Sequence, residues 1–283
     1  KNPVHDVSIR VRGTAAHDAH LYANQLWNYT CTGWTWDGST SITTFPCATR
    51  ACPTSFALAV NPPPGTTRVI NAGRLGDIGN EASDDALRAM IASAKTTVRI
   101  AQQDLGPVTK FGIALEPWPT AIMDEIVKAI ARGVDVYLVL SNQGSTAGGL
   151  GSVSGGYSNG WSATDTAQHI ASEAYANPQW FPAGTNIKAL LCQKLHVAPL
   201  RPSANDTWPD GTPFALHAKT VAIDGQAFYV GSQNLYIANL AEYGFIVDDA
   251  AATAAYVASY YTPLWTNSKR VAVSGSEAAH CSL

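Results

Sequence analysis

The sequence predicts an α/β fold: a mixed, largely parallel sheet flanked by helices. Three observations lead there. Val98 to Gln102 and Asp135 to Leu140 are apolar strand-length runs with an amphipathic helix between them, the order that gives a parallel crossover. A strand followed by an Ala-rich helix ending in Leu-Trp occurs twice, at Val7–Val11 before Leu26-Trp27 and at Gly244–Val247 before Leu264-Trp265. The chain has 283 residues and is 46% hydrophobic, enough for a sheet covered on both faces.

Taken in order, Val4 to Val11 reads as a strand and Ala15 to Tyr29 as a helix. Cys31 to Gly79 lacks period, is rich in Thr, Pro and Gly, and reads as a long surface excursion pinned by a disulfide. Ser83, followed by Asp84 and Asp85, is a helix start, and that helix runs to about Lys95. Pro119 to Arg132 is the crossover helix, stopped by Gly133. Gly144 to Gly160 is a Gly- and Ser-rich loop, either plain or lining a pocket with Tyr157. Thr164 to Tyr175 follows as a helix and Ile187 to Cys192 as a strand. Phe214 to Ile223 and Ala227 to Val230 form a hairpin turning at Asp224-Gly225. Tyr243 to Val247 is a strand and Ala250 to Tyr261 a helix. The boundary between two parts falls near residue 80, giving 1–80 and 81–283.

Charge and cysteines narrow the function classes. The net charge of −3 supplies no global basic field, so nucleic acid is not a favoured partner. No apolar run is long enough to span a bilayer. Lys1-Asn2-Pro3 is no signal peptide, so a secreted chain would already have lost its leader. Cys31, Cys47, Cys52, Cys192 and Cys281 lack zinc-site spacing and read as disulfide cysteines of an oxidising, extracellular compartment, with one left over. Cys31 with Cys47 or Cys52, and Cys192 with Cys281, are the candidate pairs.

The chemistry-bearing segment is His217-Ala218-Lys219, then Asp224, then Gly231-Ser232-Gln233-Asn234. Residues two apart on a strand share a face, so His217 and Lys219 project together, and the returning strand brings Ser232 and Asn234 beside them. An imidazole attacks phosphorus or protonates a leaving oxygen, while a lysine and an amide hold non-bridging oxygens. A carboxylate behind the imidazole fixes its tautomer, and Glu242, at the start of the next strand, is the candidate. Gln103 and Asp104, just past a strand, are candidates for the cleft lining.

His217-x-Lys219 with Asp224 and Gly231-Ser232-x-Asn234 resembles the HKD motif of the phospholipase D superfamily at each position. Asn2-Pro3-Val4, Leu26-Trp27 to Cys31, Ala86-Leu87-Arg88 to Lys95, Gln102 to Leu105, Ser154 to Ser158, and Trp208 to Gly244 resemble its secreted actinobacterial phospholipases D. The resemblance implies a pseudo-twofold molecule whose two halves each give one HKD histidine to a shared site, working without metal or cofactor. It implies a phospholipid substrate at a lipid interface, cleaved through a phosphohistidine. His217 then matches the second, acid/base histidine, and Glu242 the acid that orients it. Asp6 matches the acid that orients the first histidine, Tyr157 a position near the headgroup pocket, and Ser232 a substrate contact. Asp224 and Gly231 are structural members of the motif. Only one HKD motif is present, so the chain reads as the second half plus the tail of a first, with the first histidine expected from a separate N-terminal chain. Homodimerisation, as in single-motif nucleases, and a non-catalytic lipid-binding subunit are the alternatives.

Overall fold

In a computed structural model, the structure describes residues 2–31, 63–76, 79–106, 109–110, 113–114, 120–145, 161–236, 240–281 and 283. Its centre is a seven-stranded sheet in the order β1-β9-β8-β7-β2-β5-β6. These strands are β1 Arg68–Leu75, β2 Thr97–Gln102, β5 Asp135–Leu140, β6 Leu195–Pro199, β7 Lys219–Ile223, β8 Ala227–Gly231 and β9 Ala241–Asp248. A two-residue pair, β3 Thr109–Lys110 and β4 Ile113–Ala114, stands apart. The sheet is mixed, as expected, but largely antiparallel where a largely parallel one was expected. Its parallel pairings are confined to β2 with β5 and β5 with β6, because only there does a helix carry the chain back. The other four pairings are antiparallel.

The helices are α1 Thr14–Cys31, α2 Ala82–Ser93, α3 Thr120–Ala131, α4 Ala163–Ala176, α5 Ile187–Lys194, α6 Ala250–Tyr256 and α7 Thr262–Ser268, with five π-helical residues, Val257–Tyr261, joining the last two. Side-chain alternation along the strands divides the interior into two cores. Val98, Ile100, Val221, Ile223 and Tyr229 face one with α2, α3 and α4. Ala101, Ala222, Phe228 and Val230 face the other with Tyr256, Tyr261 and Leu264. None of the described helices is long and apolar enough to cross a membrane.

Several sequence expectations are corrected. Val4 to Val11 is extended but not a strand. Val7, Ile9 and Val11 are half-buried in alternation, yet only His5 makes ladder bonds: its N–H donates to Ala215 O and its carbonyl accepts from the His217 N–H, each at 2.8 Å. Ile187 to Cys192 is helical, because Asn186 caps it by accepting from the Ala189 N–H at 3.0 Å; the strand follows at Leu195. Arg68–Leu75, inside the stretch read as irregular, is an edge strand on β9. Ser83 lies within the first turn of α2, whose N-cap is Glu81. Strand β7 begins at Lys219, so residues 214–218 approach it as irregular chain.

Cys192 and Cys281 form a disulfide that ties α5 to the C-terminal segment across 89 residues. The Cys31 side chain, Cys47, Cys52 and Tyr157 lie outside the described residues.

Candidate active site

Strands β2 and β5 run parallel, and their carboxyl ends open onto Gln103-Asp104 and Ser141-Asn142. The segment entering β7 and the segment leaving β8 arrive at the same edge. Ser141 Oγ accepts from the Leu216 N–H at 3.0 Å, the Ser141 N–H donates to Gln103 O at 3.1 Å, and the Gly106 N–H donates to Leu235 O at 3.1 Å. Asn142 donates to Phe214 O at 2.8 Å and Leu200 O at 3.0 Å. These bonds seat the residues just before His217 without a strand ladder.

His217 Nδ1 lies 3.0 Å from Asp6 Oδ2. The two backbone bonds of His5 place Asp6 there, and its other oxygen accepts from the Val7 N–H at 2.8 Å. The pairing differs from the one expected: Asp6, not Glu242, holds this histidine. Both side chains are half exposed, and Nε2 of His217 makes no hydrogen bond among the described residues. With Nδ1–H donated to the carboxylate, Nε2 is the atom presented for proton transfer.

Lys219 is 4% exposed and donates to His217 O at 2.5 Å. Burial lowers its pKa from 10.5 to about 8, against the opposing pull of the Asp6, Glu242 and Asp104 carboxylates. The Asp6, Glu242 and Asp104 carboxylates are thus near enough to this ammonium to oppose its deprotonation.

Glu242 is buried on β9. Its Oε1 accepts from both the Asn234 N–H and the Asn234 side-chain amide, each at 2.9 Å, while Oε2 pairs with Arg74. Burial raises its pKa, and Arg74 and Asn234 pull it back. Arg74, fully buried on β1, also donates to Asp84 at 3.1 and 3.3 Å and to Asn234 O at 3.4 Å. Gln233 Nε2 reaches Asp84 at 2.7 Å. Arg74 and Asp84 were not singled out in the sequence. The available signal was an arginine in a strand whose neighbours become buried.

Ser232 bonds the Tyr243 backbone: its N–H donates to Tyr243 O and its Oγ accepts from the Tyr243 N–H, both at 2.9 Å. Gly231 is required by packing, since a Cβ there would collide with the Tyr229 phenol and meet Gly244 Cα at 2.6 Å. Asp224 stands at the far end of β7, with φ 52°, ahead of Gly225. It accepts from the Lys95, Thr96 and Thr97 N–H groups at 2.8, 2.8 and 2.9 Å. Strand β7 separates it from the histidine, and its bonds hold the hairpin turn to the start of β2.

Comparison with known proteins gives a consistent picture. The family model described as "Cardiolipin synthase, PLD-like domain" matches residues 87–265. Phospholipase D of Streptomyces antibioticus is 30% identical over 314 residues, taking in 96% of this chain and 54% of that protein. The chain therefore spans about half the length of this curated relative. Nuc from Salmonella typhimurium, a phospholipase D family member, superposes with a TM-score of 0.44 at 16% identity, covering 71% of this chain and 96% of that one. Phosphatidylserine synthase of Haemophilus influenzae gives 0.46 at 16% identity, covering 75% and 41%.

Proposed function

Because the chain belongs to the phospholipase D-like family, we propose that it hydrolyses a glycerophospholipid headgroup, or transfers it to an alcohol, outside the cell, as one part of a two-histidine active site. The observation that carries this reading is the Asp6–His217 pair above the buried Lys219. A histidine on the complementary half attacks phosphorus. His217 gives its Nε2 proton to the leaving oxygen, and the bond from phosphorus to that oxygen breaks. A phosphohistidine remains on the complementary half. His217, now neutral, takes the proton from a water or alcohol that attacks the same phosphorus and releases the first histidine. Asp6 stabilises the imidazolium form that precedes the first step and returns with the second. Lys219 and the Asn234 amide hold the non-bridging oxygens, and Gln103, Asp104 and Ser232 line the cleft.

The complementary histidine comes from another half of the fold or from a second copy of this chain. Another half, on the same polypeptide or on a separate one, suits the match to about half of the Streptomyces protein. A second copy of this chain is favoured by a different observation: Asp6 already serves His217, so no acid is left waiting for a foreign histidine. Native and denaturing mass measurement on protein from its source separates them, as a longer chain, a heteromeric mass or twice this chain. His217→Ala should lower turnover of phosphatidylcholine vesicles and bis(p-nitrophenyl) phosphate by about a thousandfold. Unchanged turnover by this variant sinks the assignment.

A further inference from the structure

We propose that Arg74 is a positioning residue, which holds Asn234 at the catalytic edge through Glu242. This rests on the function proposed above, but its geometry stands apart from that reading. One guanidinium reaches three groups at once: Asp84 of α2, Glu242 of β9 and the Asn234 carbonyl. Glu242 passes the constraint on. One oxygen is taken by Arg74, and the other accepts both the backbone and the side-chain N–H of Asn234. Asn234 is thus gripped at its N–H, its carbonyl and its amide nitrogen by a single buried ion pair.

The grip depends on Glu242 remaining an acceptor only. A protonated carboxyl carries a hydrogen, which would have to face Arg74 or one of the Asn234 donors. Burial favours that protonated form, and the Arg74 charge opposes it. Asp84 has its own reason to be present. It fixes the other edge of the guanidinium and is itself held by Gln233, the neighbour of Asn234. Arg74 thus meets Asp84 and Glu242, while the Lys219 ammonium is drawn by Asp6, Glu242 and Asp104. A pair serving stability alone would not need to close on the motif asparagine, two residues past Ser232.

The test follows the backbone amide resonance of Asn234 through a pH titration of the ¹⁵N-labelled full chain, beside the pH profile of kcat, for wild type, Arg74→Gln, Arg74→Lys and Asp84→Asn. In Arg74→Gln the Asn234 resonance should titrate about one pH unit higher or more. The acid limb of kcat should move with it, so that kcat on that limb falls about tenfold, and KM should change little. Arg74→Lys should restore most of both, and Asp84→Asn should move both by less. If the folded Arg74→Gln protein keeps the wild-type titration of Asn234, or loses kcat with neither profile displaced, the proposal is overturned. Should Arg74→Gln fail to fold, Asp84→Asn decides: it frees the other edge of the guanidinium, so an unmoved Asn234 resonance there overturns the proposal equally. If the resonance moves as expected while the wild type cleaves no phosphodiester, the positioning stands and the proposed function falls.

Discussion

Lys219 carries the sharpest conflict of any single residue. An ammonium that is 4% exposed gives up most of its hydration, and neighbouring carboxylates return only part of that loss. The fall from 10.5 to about 8, at roughly 1.4 kcal/mol per pH unit, makes the charged form cost about 3 kcal/mol of folding stability. The sign follows from proton counts. Between pH 8 and 10.5 the unfolded lysine keeps its proton and the folded one has lost it, so this group's contribution to stability rises with pH over that window. Lys219→Met should therefore raise the thermal midpoint at pH 7 by several degrees while removing turnover; a lower midpoint in a melting experiment contradicts this. Wild-type kcat/KM should decline above about pH 8 as the ammonium is lost, a limb that Lys219→Arg displaces to higher pH. His217, Lys219 and Asp6 were legible because a short motif and an acid ahead of a strand-like run are local signals. Their pairing was not, since Asp6 lies 211 residues from His217 and Glu242 fitted the same role on paper. Arg74 and Asp84 were invisible for a related reason: an acid in a helix's first turn already has a sufficient explanation in the helix dipole.

Among the elements, the β7–β8 hairpin shows how a motif residue serves the chemistry from a distance. Asp224 adopts a backbone conformation that aspartate tolerates and alanine does not, and its carboxylate closes the start of β2 with three backbone donors. Asp224→Ala should cost about 2–3 kcal/mol, as expected when buried or ladder-end donors lose a charged acceptor. Asp224→Asn should cost less, and equal urea midpoints for the two variants would refute the account. The hairpin, β2, β5 and the crossover helix were readable because each is a periodic run bounded by a turn residue. Helix α5 was misread because Ile187, Leu190 and Leu191 in so short a run satisfy either period. Strand β1 was lost among prolines and glycines, although it carries Arg74 and supplies the sheet edge on β9.

At the scale of the whole molecule, the α/β class and the position of the site at the ends of parallel strands follow from the order of the elements. The balance of pairings does not, because antiparallel neighbours come from the hairpin and from a strand 166 residues before its partner, Leu75 against Ala241. The site also draws on parts of unequal tenacity. Lys219, Glu242 and Arg74 sit in the cooperative interior. The acid behind His217 rides on an extended segment held by two backbone hydrogen bonds at His5, the stacking of His5 on Tyr260, the Asn2–Asp210 bond and the half-buried Val7 and Ile9, with no ladder beyond His5. Such a segment opens at a fraction of the global unfolding free energy. Activity should therefore fade on warming before the far-ultraviolet circular dichroism changes, and amide exchange at residues 5–7 should exceed that of β7 by orders of magnitude. Coincident midpoints would show that the segment melts with the sheet. If it does not, the proposed turnover is metered by one loosely held segment: a protease, a detergent or a few degrees of heat would silence it and leave a molecule that still looks native to any probe of its core.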